Sequence, residues 1–534
     1  MNFFMNKLKH LFIGIFIQML NNSTLKYLSK PYHNLDIVPI KENQEYGICA
    51  IHCGKQNPLE EPILFHFMID VSGSMSDFTE KGRTKMQLLI HTLSNMIRYL
   101  GENHQHVALI VKGFDNQIHD YVPKTEITKE NVSQIISKLN GILPMQSTDI
   151  GIALDEMHKN MESEKEIRQV GIFLTDGEIT QGETDTTTLV SKLPSEIPFH
   201  FIALGYEHNE RLMYSLGHAS NYTFNWFINQ LEQTGNIYGE ILYNELHKVW
   251  ENVYLEIEHG HLFDYYLQEF VTRLPIKNVS GESEKHFHLI TNDKDICKVT
   301  LHGWNLVTQT NELVPITDLP PLIPQDQINT VYYLHCAPYF MEIQFCRLIT
   351  QMYMGKVRKN LFTDSLEENV LEKTIFNKKS MFYEEKRKAL FDKIKIFSNF
   401  LEEYAKIHDL ESNEFFNTLK DDITILLQTL FTHNILKYCG LREDNQGQQR
   451  ISNAVVDIPK EHISTNGLSR PILQRSTTTP YRTPGRVNIM DSLSQDADDY
   501  PSPYPSPLNL NDIDDDNTGI LPPPILRHSA SSHN

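Results

Sequence analysis

The sequence predicts a multidomain protein of mixed class: a doubly wound, mostly parallel α/β sheet set next to an antiparallel β-sandwich, then a helical region and a disordered tail. Three observations predict it. From about Pro62 to Trp250, nearly continuous apolar runs alternate with segments whose apolar residues recur at three- and four-residue spacing, the pattern of buried strands and the helices that cover them. After Trp250 the pattern shifts to short alternating strands, and from about Asp326 to long amphipathic stretches. At 534 residues, with 40% apolar and 22% charged residues, the chain has the length for two or three domains and the composition of a protein most of which folds.

Residues 1–33 read as an N-terminal leader. "MNFFMNKLKHLFIGIFIQML" sets lysines before a short apolar run, as a secretory signal does, but Gln18 interrupts it, "NNSTLKYL" has no small-residue cleavage site, and the run is too short to span a bilayer. Residues 34–58 are strand-like and are grouped with 251–325 as one β-sandwich, with the α/β unit, residues 59–250, inserted between them. Inside that unit "ILFHFMID", "HVALIVKGFD", "QIHDYVP", "QVGIFLTDG" and "IPFHFIALG" read as strands. The segments "KMQLLIHTLSNMIRYL", "TKENVSQIISKLNGIL", "DIGIALDEMHKNME" and "TTTLVSKL" read as helices between them, which makes the sheet mostly parallel. A short strand at "YTF" and one long closing helix, 225–250, complete it.

Residues 326–442 read as helical. Their basic clusters, Lys356, Arg358 and Lys359, then Lys386, Arg387 and Lys388, lie in an acidic chain and read as solvated helix faces rather than a nucleic-acid surface. Residues 443–534, rich in Pro, Ser, Thr and Asp, bury too little apolar surface to offset chain entropy, so disorder is expected there.

A net charge of −20 disfavours non-specific binding to nucleic acid or anionic lipid and leaves proteins and cations as expected partners. Six scattered cysteines do not form a disulfide framework, and a reducing compartment fits them best. Cys49 and Cys53 in "CAIHC" would lie about 13 Å apart on a strand at roughly 3.3 Å per residue, too far for a disulfide. His52 would face away from both sulfurs, so strand packing is favoured over zinc. The pairs His259 with His261 and His286 with His288 are incomplete as metal sites and are expected to be solvent-facing strand histidines.

In a parallel sheet, ligands bind outside the carboxyl ends of the strands. One such end is "MIDVSGSMS", where a greasy strand stops at Asp70 and hydroxyls follow at Ser72 and Ser74. An ordinary turn uses the same residue types, so this segment alone leaves two readings open, a turn or a metal seat. At two other strand ends, "QSTDIGIAL" sets Thr148 just before a helix and "IFLTDGEIT" ends a buried strand at Asp176. Together these segments resemble the von Willebrand factor A domain with its metal-ion-dependent adhesion site. The D-x-S-x-S motif matches Asp70, Ser72 and Ser74, the family's threonine matches Thr148, and its T-D-G aspartate matches Asp176.

The resemblance implies a Rossmann-like domain that binds rather than reacts, with Mg²⁺ or Mn²⁺ on those five residues. Their chemistry agrees, since two carboxylates and three hydroxyls are hard oxygen donors. An extended course at Asp70, Ser72 and Ser74 would point all three side chains one way. Five such ligands leave at least one octahedral position to water or to an Asp or Glu of a protein partner. Asp149 either supports the site through water or serves the following helix as an N-terminal acid. A relic site that no longer binds metal would carry the same five residues.

No Walker A loop, dinucleotide glycine fingerprint, H-E-x-x-H or G-x-S-x-G occurs, so no catalytic residue and no organic cofactor are assigned and the protein is not expected to be an enzyme. The expected function is a divalent-cation-dependent protein-protein interaction module in an intracellular or virion-associated scaffold, with the cytoplasm as the expected location and a secreted or virion location as the alternative. The alternatives are a metal-independent structural or assembly protein and a secreted adhesion protein. No membrane span is expected, and the oligomeric state is not read from the sequence. The run of A domain, β-rich region, helices, "QGQQRIS" and "YRTPGRVNIMDSLSQ" also resembles intracellular A-domain proteins of plants that carry a ubiquitin-ligase RING. No cysteine and histidine series of zinc-finger spacing occurs, so ligase activity is not carried over.

Overall fold

The structure, a computed structural model, describes residues 24–28, 44–318 and 380–429, apart from 57, 59–60, 79–82, 105, 146, 165, 177–178, 205–207, 229–230, 268, 408 and 413. The expected tail at 443–534, most of the expected leader, and the expected helical stretches at 326–379 and 430–442 lie outside the described residues.

Two strands come first, β1 (Thr24–Leu28) and β2 (Glu45–His52). The α/β unit then runs β3 (Ile63–Asp70), α1 (Lys85–Asn103), β4 (Val107–Phe114), β5 (Ile118–Glu126), α2 (Val132–Leu139), α3 (Ile150–Glu162), β6 (Arg168–Thr175), α4 (Thr186–Ser191), β7 (Phe199–Leu204), α5 (Glu210–Gly217), β8 (Thr223–Ile228) and α6 (Leu231–Leu246). Its sheet has the order β5-β4-β3-β6-β7-β8. Every pair is parallel except β4 with β5.

Strand β3 lies at the centre and all eight of its residues are buried, as its unbroken apolar run requires. The two-residue period sends Phe65, Phe67 and Ile69 into a core shared with α1 and α6, and Met68 into the core of the opposite face with Phe173, Phe201 and the apolar side of α3. Edge strand β5 carries Pro123, which offers no amide hydrogen, and exposed Lys124, both of which blunt a free edge against further pairing.

One part of the unit departs from expectation. Residues 225–250 are not one closing helix but the end of β8, all of α6 and the start of the next strand, β9 (Lys248–Glu258). The run "TFNWFI" is apolar enough for either state, and parallel pairing with β7, in which Trp226 sits opposite Ile202, buries it on both faces. Helix α5 was not anticipated. It has only eight residues, and its start is marked chiefly by Asn209, whose side chain accepts from the Leu212 amide at 3.1 Å.

After β9 come β10 (Gly260–Asp264), β11 (Glu269–Val271), β12 (Arg273–Ser280), β13 (Glu284–Thr291), β14 (Lys298–Asn305) and β15 (Thr310–Asp318). With β1 and β2 they make a sheet of nine strands in the order β11-β10-β13-β2-β1-β15-β14-β9-β12, antiparallel except where β1 meets β15. Cys49, Ile51, Phe287 and Leu289 from one half share a core with Leu255, Val299 and Leu301 from the other, so the sheet folds over on itself. Here His286 and His288 are buried, contrary to expectation. His288 lies between the hydroxyls of Tyr46 and Tyr265, each 2.5 Å from a ring nitrogen, and burial lowers its pKa to about 3. Both faces of β13 are covered, so alternation gives neither imidazole a wet side. His259 and His261 are exposed, the former in a turn with φ of 59°.

The chain leaves the nine-stranded sheet at Gly54–Gln56 and returns at His247, and these two points are tied together. The Glu282 amide donates to the Gly54 carbonyl at 3.1 Å, the Gly281 amide to the His247 carbonyl at 2.9 Å, and His247 Nδ1 to the Gln56 carbonyl at 2.9 Å. A Cβ on Gly281 would fall 2.9 Å from that of Gln56, so only glycine lets the strands approach this closely. Closely spaced ends are what let an inserted unit sit in a sheet without distorting it. Further on, α7 (Ser380–Ile407) and α8 (Glu414–Thr429) pack through Tyr404 and Phe416, whose rings stack at 5.8 Å. Among the described residues no helix is long and apolar enough to cross a membrane.

Candidate metal centre

The site lies at the carboxyl end of β3, β4 and β6, the three central strands. Parallel register sets Asp70 opposite Phe114 of β4 and Ile69 opposite Leu174 of β6, so Asp70 and Thr175 end their strands at nearly the same height. Asp70 is fully buried, and both its carboxylate oxygens are engaged. Oδ1 accepts from the Ser72 amide at 2.8 Å, which turns the chain off the strand, and Oδ2 accepts from the Thr175 hydroxyl at 2.7 Å.

The two serines meet by a different route from the one expected. The chain does not stay extended past Ser72 but enters a 3₁₀ turn, Gly73–Ser76, seated by fully buried Met75. That turn, rather than strand alternation, brings the Ser72 and Ser74 hydroxyls to 3.0 Å. Ser72 is buried and Ser74 half-buried.

Thr148, also buried, is held from three sides. The Met145 amide donates to the Val71 carbonyl at 2.5 Å, and the Asp149 amide to the Asp115 carbonyl, just past β4, at 2.8 Å. Beyond β6, the Thr180 and Gln181 amides both donate to the Thr148 carbonyl at 3.1 Å, and the Thr180 hydroxyl accepts from the Thr148 amide at 2.8 Å. The loop bearing Thr148 is therefore clamped between the segment leaving Asp70 and the segment leaving Asp176. Asp149 caps α3, its Oδ1 accepting from the Ile152 amide at 3.2 Å. Gly182 closes over that carboxylate with φ of 86°, and a Cβ there would lie 2.3 Å from it.

Asp176 is only 1% exposed. Its Oδ2 accepts from the Lys85 ammonium at 3.2 Å, and its Oδ1, equally buried, accepts no hydrogen bond. Asp70 feels this neighbour. Burial, then the charge of Asp176, raises the Asp70 pKa to about 6, against partial compensation by the Ser72 and Thr175 hydrogen bonds.

The residues fit a hard dication. Of two neighbouring buried carboxylates only Asp176 meets an ammonium, one of its oxygens is left without a donor, and the Ser72 and Ser74 hydroxyls follow Asp70 in the same turn. Among the described residues no group of three or more His, Cys, Asp or Glu is arranged to hold a metal, and this set supplies only two such residues, Asp70 and Asp176. Lys85 and Thr175 were not singled out in the sequence. Thr175 adjoins the T-D-G aspartate and was within reach, whereas Lys85 carries no local sign of a contact 91 residues away.

Among solved structures, the chain is similar to the ArnB paralog VWA2 from Sulfolobus acidocaldarius, at 15% identity over 81% of this chain and 98% of that one, with a TM-score of 0.41. It is also similar to a von Willebrand factor type A protein from Catenulispora acidiphila, at 12% identity over 57% of this chain and 76% of that one, with a TM-score of 0.40. No curated protein matches it in sequence. The family model of the von Willebrand factor type A domain matches residues 66–240, which hold all five candidate ligands. The α/β unit of this chain is a von Willebrand factor type A domain.

Proposed function

We propose that this domain binds a protein partner through a divalent cation, Mg²⁺ or Mn²⁺, held by Asp70, Ser72, Ser74, Thr148 and Asp176, and that the partner contributes an Asp or Glu. The observation that carries this reading is the buried, undonated Oδ1 of Asp176 beside the crowded carboxylate of Asp70. A dication supplies the missing positive charge, and because the other three donors are neutral hydroxyls it keeps a coordination position that a partner's acid fills. Asp70 is held in place by Ser72 and Thr175, Thr148 by three backbone anchors, and the serine hydroxyls by the 3₁₀ turn, so the donors are preorganised.

The buried thiols Cys49, Cys53 and Cys297 form no disulfide and favour a reducing compartment, so we assign the protein to the cytoplasm. The test is capture of partners from native extract by full-length protein, with and without EDTA, beside Asp176→Ala. Partners lost both on chelation and in the variant support the reading. Partners that persist in both support a metal-independent assembly role.

A further inference from the structure

We propose that the Lys85 ammonium is a tethered counter-ion that holds the cation seat at Asp176 and yields it by swinging onto Asp77, so that metal enters by exchange against Lys85. This rests on the reading of the five residues as a metal seat and adds the group that sets its affinity.

Three observations carry it. Lys85 Nζ lies 3.2 Å from Asp176 Oδ2 and 3.7 Å from Asp77 Oδ2, so a single side chain reaches both acids. The two differ sharply in surroundings: Asp176 is 2% exposed at its side chain and Asp77 is 64% exposed. One is a desolvated seat and the other a wet resting place.

Lys85 is, secondly, the first residue of α1, and no acid occupies that first turn. A cation there opposes the helix dipole, which favours acids at the N-terminus and bases at the C-terminus. Local helix chemistry therefore does not explain a lysine at this position, whereas the Asp176 carboxylate does.

The position is, thirdly, rigid. A complete capping box between Thr84 and Gln87 fixes the start of α1. The Lys85 amide donates to the Asp77 carbonyl at 3.0 Å, and Phe78 bridges to Thr84, so Asp77 stays beside Lys85 wherever the ammonium points.

Charge accounting gives the direction. Asp70 and Asp176 bring two negative charges and Lys85 offsets one. A dication offsets both, and an ammonium left at Asp176 would then face it as a like charge at close range. The lysine has to leave as the metal arrives, so its removal should tighten metal binding.

The test is titration of full-length protein with MnCl₂, followed by calorimetry and by the electron paramagnetic resonance of free Mn²⁺, for wild type, Lys85→Met and Lys85→Arg. Lys85→Met is expected to bind Mn²⁺ at least about tenfold more tightly, the scale on which one opposite charge within reach changes an acid's affinity for a cation. Lys85→Arg, which keeps the charge, should stay near wild type. Wild type and Lys85→Met binding equally, or Lys85→Met binding more weakly while it melts as wild type does, would overturn the exchange. Absence of Mn²⁺ binding in all three would overturn the metal seat itself, and the exchange with it.

Discussion

The two ends of the six-stranded sheet each bury acid, and they treat it in opposite ways. At the amino-terminal end, Glu245 of α6 is wholly buried and surrounded by donors: Lys248 Nζ at 2.7 Å, His200 Nε2 at 3.2 Å and the Arg168 guanidinium at 3.5 Å. Trp226 Nε1–H donates to His200 Nδ1 at 3.0 Å, which leaves Nε2 as the protonated nitrogen aimed at the carboxylate. Burial pushes the Glu245 carboxyl up, yet Lys248, His200 and Arg168 together hold it well below the usual carboxylate range. At the carboxyl-terminal end, one ammonium meets Asp176 and none meets Asp70, Asp70 is raised to about 6, and an Asp176 oxygen has no donor. An acid that ties elements together is saturated by its own chain. On the proposed reading, an acid that takes a ligand is left short of donors, and the shortfall favours the cation.

The largest expected effect sharpens the saturated end. Glu245→Ala strands Lys248 and Arg168 without their carboxylate and should cost about 3–5 kcal/mol of stability by urea unfolding. Asp70→Asn, the corresponding change at the other end, should have the opposite sign in EDTA. The folded pKa of Asp70, about 6, lies above its ordinary 3.8, so the protonated form favours folding. Metal-free protein should therefore lose about 3 kcal/mol as pH rises from below 4 through 6, one pKa unit being about 1.4 kcal/mol. Asp70→Asn should flatten that loss in chemical-denaturation curves taken from pH 4 to pH 8. If it destabilises the metal-free protein as Glu245→Ala does, the two ends are alike and the contrast fails.

Smaller effects refine the seat. Gly182→Ala puts a side chain on the Asp149 carboxylate at a positive φ, and about 1–3 kcal/mol should be lost by thermal melt, together with faster amide exchange in the 179–183 loop. Thr175→Val removes the hydroxyl that donates to Asp70 Oδ2 and should cost about 1 kcal/mol, with a further rise in the apparent pKa of Asp70 followed by carbonyl NMR.

How much of this was legible in the sequence differs between the same regions. The apolar strand that stops at Asp70, the threonine before α3 and the aspartate after β6 are local signals at strand ends, and they are what make these residues candidates. The partners that tune it are not local. Lys85 reaches Asp176 across 91 residues, and the Glu245 network gathers groups from β6, β7, β8, α6 and β9, none of which carries a motif. Residues 225–250 read as one helix in sequence because an apolar run flanked by an amphipathic one has no internal mark where strand ends and helix begins. His286 and His288 depart from expectation for a related reason: alternation assigns a side chain to a face, and only the folding over of the nine-stranded sheet decides which faces stay wet.

Calorimetric titration of Mn²⁺ into full-length wild-type protein and into Asp70→Asn tests the cation seat most directly. One site per chain in the wild type, with its heat abolished in the variant, is the expected result. Equal heats from wild type and Asp70→Asn, or no heat over the millimolar range from either the wild type or Lys85→Met, would contradict it.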